Sequence, residues 1–383
     1  MKKILLTLSL SLASGLLSGM TQADDCDFPA NNGHKNFTIN LITPNITVGA
    51  DVPVGTIIHR QRLRSADSFT PQLVCHTSDS NNPFPVQQFM SLTNTQPLVP
   101  GWTENYPGAV YQTSVPGIGV AVINEDGYDQ SNDKAINGVP LQKWEYPSTE
   151  YGDKATLIRN QFSLAFIKTG PIGPGIINGT QLPTVVLKVS SNRPVTGLPK
   201  EVFRENFAGS INVVAGTCKT SDVNVPMGSY GLDKYFNGKI TATPWKEFLI
   251  VLSDCPPFYD TYTSPDSPPQ YNIGGSTVPG LQTLNRFELQ ILPVFSMIDV
   301  ANGIFGISNE ENSASGVGIQ LGVSDPISHQ PFPIDLSKII KKELQSSTPG
   351  SQIFAFSARY IQTGTTVTPG KANSKAMFTI SHH

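Results

Sequence analysis

Phe287-Glu-Leu-Gln-Ile291 alternates apolar and polar residues, the period of a half-buried β-strand, and Phe248-Leu-Ile-Val-Leu252 is an apolar run of strand length. Outward from these two, Phe37-Thr-Ile-Asn-Leu41, Val185-Val-Leu-Lys-Val189, Ile211-Asn-Val213 and Ile353-Phe-Ala-Phe-Ser357 repeat the pattern, bounded by Gly, Pro and Asn. Only 336–344, with Ile339, Ile340 and Leu344, suggests a short helix. With 33 Gly, 31 Pro and 14% charged residues, the composition favours short strands joined by many turns over long solvated helices. The expected fold is all-β, two β-sandwiches. The Pro- and Gly-bearing stretch 190–199, or the residues just after it, marks their division: a first domain over 24–206 and a second over 207–383.

Lys2 and Lys3, an apolar run from Ile4 to Leu17 and the small-residue site Thr21-Gln22-Ala23 read as a secretory signal peptide over 1–23, with the mature chain starting at Asp24. Without the signal, 24 bases stand against 29 acids, a net charge of −5 that offers nothing to nucleic acid. Export gives the four cysteines an oxidising compartment. Of the three possible connectivities, Cys26 with Cys75 and Cys218 with Cys255 is preferred because each pair then lies in one domain. Each closed loop contributes about 4 kcal/mol in the chain-entropy model. No CxxC, HxH, HExxH or GxSxG spacing occurs, so redox, zinc-protease and serine-hydrolase chemistry lose their usual support. No enzyme activity and no cofactor are expected.

The second half carries a resemblance. Gly209-Ser-Ile-Asn-Val-Val-Ala-Gly-Thr-Cys218, Asp222-Val-Asn-Val-Pro-Met-Gly228 and Trp245-Lys-Glu-Phe-Leu-Ile-Val-Leu-Ser-Asp-Cys255 come first. Ser315-Gly-Val-Gly-Ile-Gln-Leu321, Phe354-Ala-Phe-Ser-Ala-Arg-Tyr360 and Thr368-Pro-Gly370 follow in order. Together they resemble the pilin domain of chaperone–usher fimbriae, an incomplete immunoglobulin-like sandwich that lacks its last strand. In the terminal segment Ala376, Phe378 and Ile380 put one apolar face on a strand, with His382 where the family usually carries an aromatic residue. The resemblance implies that a periplasmic chaperone grasps this strand, that an outer-membrane usher exports the subunit, and that the next subunit completes it by donor-strand complementation.

Almost 200 residues precede the second cysteine pair, where a shaft subunit needs only a short donor extension. Two-domain members of the family are tip adhesins. Asp24-Asp-Cys26, Asn45-Ile-Thr-Val-Gly49, Leu73-Val-Cys-His-Thr-Ser-Asp79, Val110-Tyr-Gln-Thr-Ser-Val-Pro-Gly-Ile-Gly119 and Phe166-Ile-Lys-Thr-Gly170 resemble their receptor-binding domains, the mannose-binding ones distantly. By position, that likeness implies a sugar pocket from Asp24 with its amino group, Thr77, Ser78 and Asp79, and Lys168, Thr169 and the loop to Thr180, at the end away from the pilin half. Asp79, Asn178 and Gln181 supply polar groups for vicinal hydroxyls, and Trp102, Tyr106, Trp144 or Tyr146 a ring to cover a pyranose, although core packing is the commoner role of the two tryptophans. Thr77-Ser78 stand where a mannose site carries an amide and a carboxylate, so a different glycan or a shallower site is expected. His34, His59 and His76 lack metal-ligand spacing, and Asp126 and Asp129 read as an exposed acidic turn; no metal is expected. The implied function is attachment to a host glycan or glycoprotein from a fimbrial tip. The alternative is a tip or adaptor subunit whose first domain meets a protein, or a receptor bound through a metal.

Overall fold

The computed structural model describes residues 23–29, 33–65, 70–125, 134–152, 155–239, 241–324, 330–344 and 349–383. Asp126, Tyr128 and Asp129 lie outside them. The chain is nearly all β; among the described residues the α-helix is a single turn, Leu232–Tyr235. The six runs read as strands fall in Lys35–Asn40, which stops one residue short of Leu41, and in Thr184–Ser190, Ser210–Ala215, Lys246–Cys255, Arg286–Pro293 and Gly350–Gln362. The short helix expected over 336–344 does not form. Ile340–Glu343 is instead a strand paired with Arg286–Pro293. Lys342 takes an inward position, its ammonium 5.4 Å from the centre of the Phe354 ring, so a lysine stem fills a place where alternation leads one to expect an apolar residue.

The first unit is a sandwich. One sheet runs Leu141–Pro147, Pro85–Thr93, Thr184–Ser190, Lys200–Ala208, Lys35–Asn40; the other contains Ile57–Ser65, Gln161–Lys168, Ile118–Asn124 and Tyr111–Gln112. Leu63, Phe162, Phe166, Val185, Leu187 and Phe203 meet between them, fully buried. Ile118–Asn124 is buried along its whole length because its outer face is covered too. There Ala121, Ile123, Ala165 and Ile167 pack with Trp102 and Tyr106. Cys26 and Cys75 face each other on neighbouring antiparallel strands and are bonded. Cys218 and Cys255 are bonded as well.

The expected break at 206/207 falls inside a continuous run of strand. Lys200–Ala208 leads at once into Ser210–Ala215, which pairs with Asn45–Val48 and Gly175–Asn178. Phe207, Ile211 and Val213 belong to the first core. Packing therefore divides the chain at about 216–218, and 190–199 is no linker: it is the loop joining two antiparallel neighbours of one sheet. Turn composition looks the same in both settings.

In the second unit, Lys219–Thr220, Lys246–Cys255, Gly350–Gln362, Val317–Ser324, Ile304–Phe305 and Met297–Asp299 form one sheet. Ile340–Glu343, Arg286–Pro293 and Ala376–His382 form the other. Ile250, Phe287, Leu289, Leu321 and Phe356 make its core, with Phe378 and Ile380 half-buried against it. Ala376–His382 pairs with Arg286–Pro293, and among the described residues its other edge has no strand partner.

The connection 256–285 leaves this second sandwich and runs along the first. Thr47 exchanges hydrogen bonds with Tyr259, the Arg60 N–H donates to the Tyr262 carbonyl at 2.7 Å and the Arg62 N–H to Pro269 at 2.9 Å. Gln270–Ile273 then pairs in parallel with Ile57–Ser65, and Ser276–Val278 extends the sheet further. A strand edge that would otherwise template aggregation is thereby covered within the chain.

Candidate functional site

Lys200–Ala208 runs from the loop 190–199 towards Ser210–Ala215 and the second unit, so that loop marks the far end of the first sandwich. Asp24 sits there. Its Oδ1 accepts from the Ser78 N–H at 2.8 Å and the Ser78 hydroxyl at 2.9 Å, with the Thr77 hydroxyl at 3.5 Å, and its Oδ2 pairs with Arg193 Nη2 at 2.7 Å. These donors, the Ser78 N–H first, hold its carboxyl below the usual range. Arg193 also donates to the Asn82 carbonyl at 3.0 Å and lies over the Phe84 ring. Gly197 closes the loop at φ +86°, where an added Cβ would overlap the Cys26 carbonyl. Asp24, Thr77 and Ser78 thus come together as expected. Asp79 adjoins them, its carboxylate taken by the Asn81 N–H at 2.9 Å. Arg193, from the stretch expected to divide the domains, completes the cluster.

The rest of the expected pocket does not converge with it. Lys168 lies at the opposite end, at the junction with the second unit. Its Nζ is buried and donates to the Ala50 carbonyl at 2.7 Å and to Gly49 at 3.4 Å, and burial lowers its pKa against the pull of Asp51. Asp51 in turn accepts from the His382 N–H at 3.0 Å. The Thr169 N–H donates to the Gly117 carbonyl at 2.8 Å. Asn178 caps the turn Gly179–Gln181, its Oδ1 accepting from the Thr180 N–H and hydroxyl. Trp102 packs on the sandwich's outer face and donates its indole N–H to the Asn105 carbonyl at 2.8 Å. The loop after Phe166-Ile-Lys-Thr-Gly170 follows a strand that runs towards the junction, so it lies at the end opposite to 190–199.

The three histidines have separate surroundings. His59 is fully buried between Phe166 and Tyr262, and burial pushes its pKa down to about 4. His34 bonds to Glu201, and His76 is exposed. Among the described residues no group of three or more His, Cys, Asp or Glu is placed to hold a metal.

A cleft of about 830 Å³ opens on the flank. Along one wall Trp144 and Tyr146 stack at 6.1 Å with planes 23° apart, 38% and 41% exposed. They are two residues apart on the edge strand Leu141–Pro147, so they share a face. The register slips between Gln142 and Trp144, and this bulge lets Lys143 turn inward as well, where its ammonium donates to Asn160 Oδ1 at 3.2 Å. Asn160 Nδ2 donates to Glu205 at 2.7 Å. Glu205 is wholly buried, and desolvation raises its pKa to about 8 despite Asn160 and Lys143. Glu125 accepts from Arg62 and from the Ser163 hydroxyl and lies 3.7 Å from Arg60. Gln270, from the connection 256–285, closes part of the rim.

Residues 206–382 match the family model described as fimbrial protein. A search of curated proteins finds no match. Among solved structures, the CupB6 tip adhesin from Pseudomonas aeruginosa is 14% identical over 94% of this chain and 95% of its own, with a TM-score of 0.32. The receptor binding domain of the plasmid-born adhesin MrkD1P of Klebsiella pneumoniae is 17% identical over 51% of this chain and 99% of its own, TM-score 0.31. The CsuC–CsuE chaperone–tip adhesion subunit complex of Acinetobacter baumannii matches at 10% identity over 93% and 99%, TM-score 0.24. At these scores the fold reading rests on the chain's own strand order.

Proposed function

We propose that this chain, whose residues 206–382 match the fimbrial protein family model, is the two-domain adhesin at the tip of a chaperone–usher fimbria, and that its first domain binds a host glycan. One observation carries the reading. The fimbrial domain ends in Ala376–His382, a strand hydrogen-bonded on one side whose apolar residues Phe378 and Ile380 are only half covered, and a complete sandwich with its own core and disulfide precedes it. Such an edge suits a strand donated by a chaperone, and later by the next subunit. A complete sandwich ahead of the fimbrial part, where a shaft subunit carries only a donor extension, supports a position at the end of a fibre. Export through the periplasm to the cell surface follows from the same assembly route. Exposed stacked aromatics beside hydrogen-bonding side chains support a sugar over a flat protein partner.

Fimbriae assembled with the full chain should carry it at their ends by immunogold labelling and bind spots on a glycan array, and fimbriae lacking the chain should not. Labelling along the shaft, or binding to proteins stripped of glycans, would favour the adaptor reading.

A further inference from the structure

We infer that the receptor site is the flank cleft between Trp144–Tyr146 and Arg64, and that its ligand is an anionic saccharide whose ring lies on the aromatic pair and whose acidic group meets the guanidinium. The inference rests on the glycan-binding reading above and adds a place and a ligand class to it.

Three independent features of the cleft point this way. The aromatic pair is exposed where an edge strand would carry polar residues, and its near-parallel rings leave aromatic surface open to the apolar face of a pyranose. Neither the Trp144 indole N–H nor the Tyr146 hydroxyl has a hydrogen-bond partner among the described residues, so both are free to donate.

Gln88 in the cleft floor is only 5% exposed. Its Nε2 is placed against the Tyr151 hydroxyl at 3.1 Å, while its Oε1 is buried without a donor. Whichever way the amide is turned, one of its two heads lacks a partner. A buried amide left half-satisfied in a polar, roomy cleft is a group awaiting a ligand hydroxyl or a water.

Charge selects the class of sugar. The cleft is lined by Arg62, Arg64, Lys143 and Arg159 against Glu125 and Glu150. Arg62 and the Ser163 hydroxyl already engage Glu125, and Lys143 holds Asn160. The Arg64 side chain is exposed, and its guanidinium makes no hydrogen bond or ion pair among the described residues. Its planar fork matches a carboxylate or sulfate bidentately. The far-end cluster lacks this spare capacity: the Asp24 carboxylate is engaged by Ser78, Thr77 and Arg193.

The test uses fimbriae carrying the full chain, with 3′-sialyllactose, a heparin hexasaccharide and lactose as probes. Parent fimbriae should retain one or both acidic probes at least about tenfold better than lactose, and the preferred probe tells carboxylate from sulfate. Trp144→Ala should lower that affinity about tenfold or more, and Trp144→Phe should keep it within about threefold, which separates loss of the platform from loss of fold. Arg64→Gln should abolish the preference for the acidic probes, and Asp24→Asn should bind as the parent does. The cleft is refuted if Trp144→Ala and Arg64→Gln bind normally while Asp24→Asn does not; glycan binding then survives at the far end. Equal retention of lactose by the parent overturns the ligand class. Parent fimbriae that bind no glycan on a broad array overturn the proposed function itself.

Discussion

Cutting the chain after Asn206 removes Phe207, Ile211 and Val213, which are 3%, 0% and 1% exposed in the first core. Each buried apolar side chain contributes about 1.5–3 kcal/mol, so the loss is about 5–9 kcal/mol, before counting the pairing that Asn45–Val48 and Gly175–Asn178 lose. A domain is stable by about 5–15 kcal/mol. A fragment 24–206 should therefore be largely unfolded or aggregated when exported alone, whereas 24–215 should be soluble and unfold cooperatively. With a urea m-value of about 2 kcal/mol/M, the midpoints should differ by at least about 2 M. Both fragments lose the Gln270–Ile273 partner of Ile57–Ser65, so that newly exposed edge cancels in the comparison. Midpoints within about 0.5 M of each other, with equal soluble yield, would show that Phe207–Val213 pack with the second unit and that the division at 216–218 is wrong.

Three further expectations follow from buried groups. Because Glu205 has its pKa raised to about 8, the folded chain holds a proton that the unfolded chain releases near 4.5; its contribution is fully present below the lower value and lost as pH rises through the upper. Urea denaturation between pH 5 and 9 should show stability falling by several kcal/mol in the parent, at about 1.4 kcal/mol per pH unit, and flattening in Glu205→Gln; parallel curves would refute the burial argument. Replacing Phe378 and Ile380 together by Asp places charges against the second core at a cost of several kcal/mol, and the chaperone complex recovered from the periplasm should drop sharply; normal recovery would refute the role of this strand. A Cβ on Gly49 would overlap the His382 carbonyl, which is backbone and cannot rotate aside, so Gly49→Ala should speed amide exchange at Thr47, Tyr259 and His382 and leave the two cores protected.

Alternation made the strands legible because a half-buried strand imposes period two on its sequence whatever sheet it joins. What it cannot carry is the partner. Ile211-Asn-Val213 reads as a strand of either unit, and only pairing with Asn45–Val48 assigns it to the first. Gln270–Ile273 is harder still. Its residues are mostly polar and half-buried, and apart from Ser276–Val278 the strands of the sheet they join lie more than 100 positions earlier. The far-end cluster was partly legible: Cys26 fixes Asp24 beside Cys75, so Thr77 and Ser78 had to lie near it. Arg193 was hidden by a loop that resembles a linker in composition. Trp144 and Tyr146 did carry a signal, two aromatics at strand spacing among charged neighbours. Whether such rings face core or water depends on which strand is the sheet edge, and that is set by tertiary structure.

The terminal strand shows how the parts act on each other. His382 stands where an aromatic residue was expected and does an aromatic residue's work, its ring 5.0 Å from Phe258 and 5.3 Å from Phe287, with Nε2 2.9 Å from Asn285 Oδ1. Burial lowers its pKa to about 4, so it is neutral around pH 7. Asn285 Nδ2 donates to the Tyr259 carbonyl, which also accepts from Thr47 of the first unit. Thr47 and Tyr259 share two hydrogen bonds, Thr47 reaches Pro257, Arg60 reaches Tyr262, Arg62 reaches Pro269, and His382 reaches Asp51. These six contacts, at about 1 kcal/mol each, would hold a detached arrangement near one molecule in 10⁴ even without the apolar surface between the units. A pull on the first unit therefore enters the second through paired backbone, along Ile57–Ser65 and into the connection 256–285, and not through a slack tether. Force on a receptor held in the flank cleft would travel the same path, because Gln270 on that connection is part of the cleft's own rim.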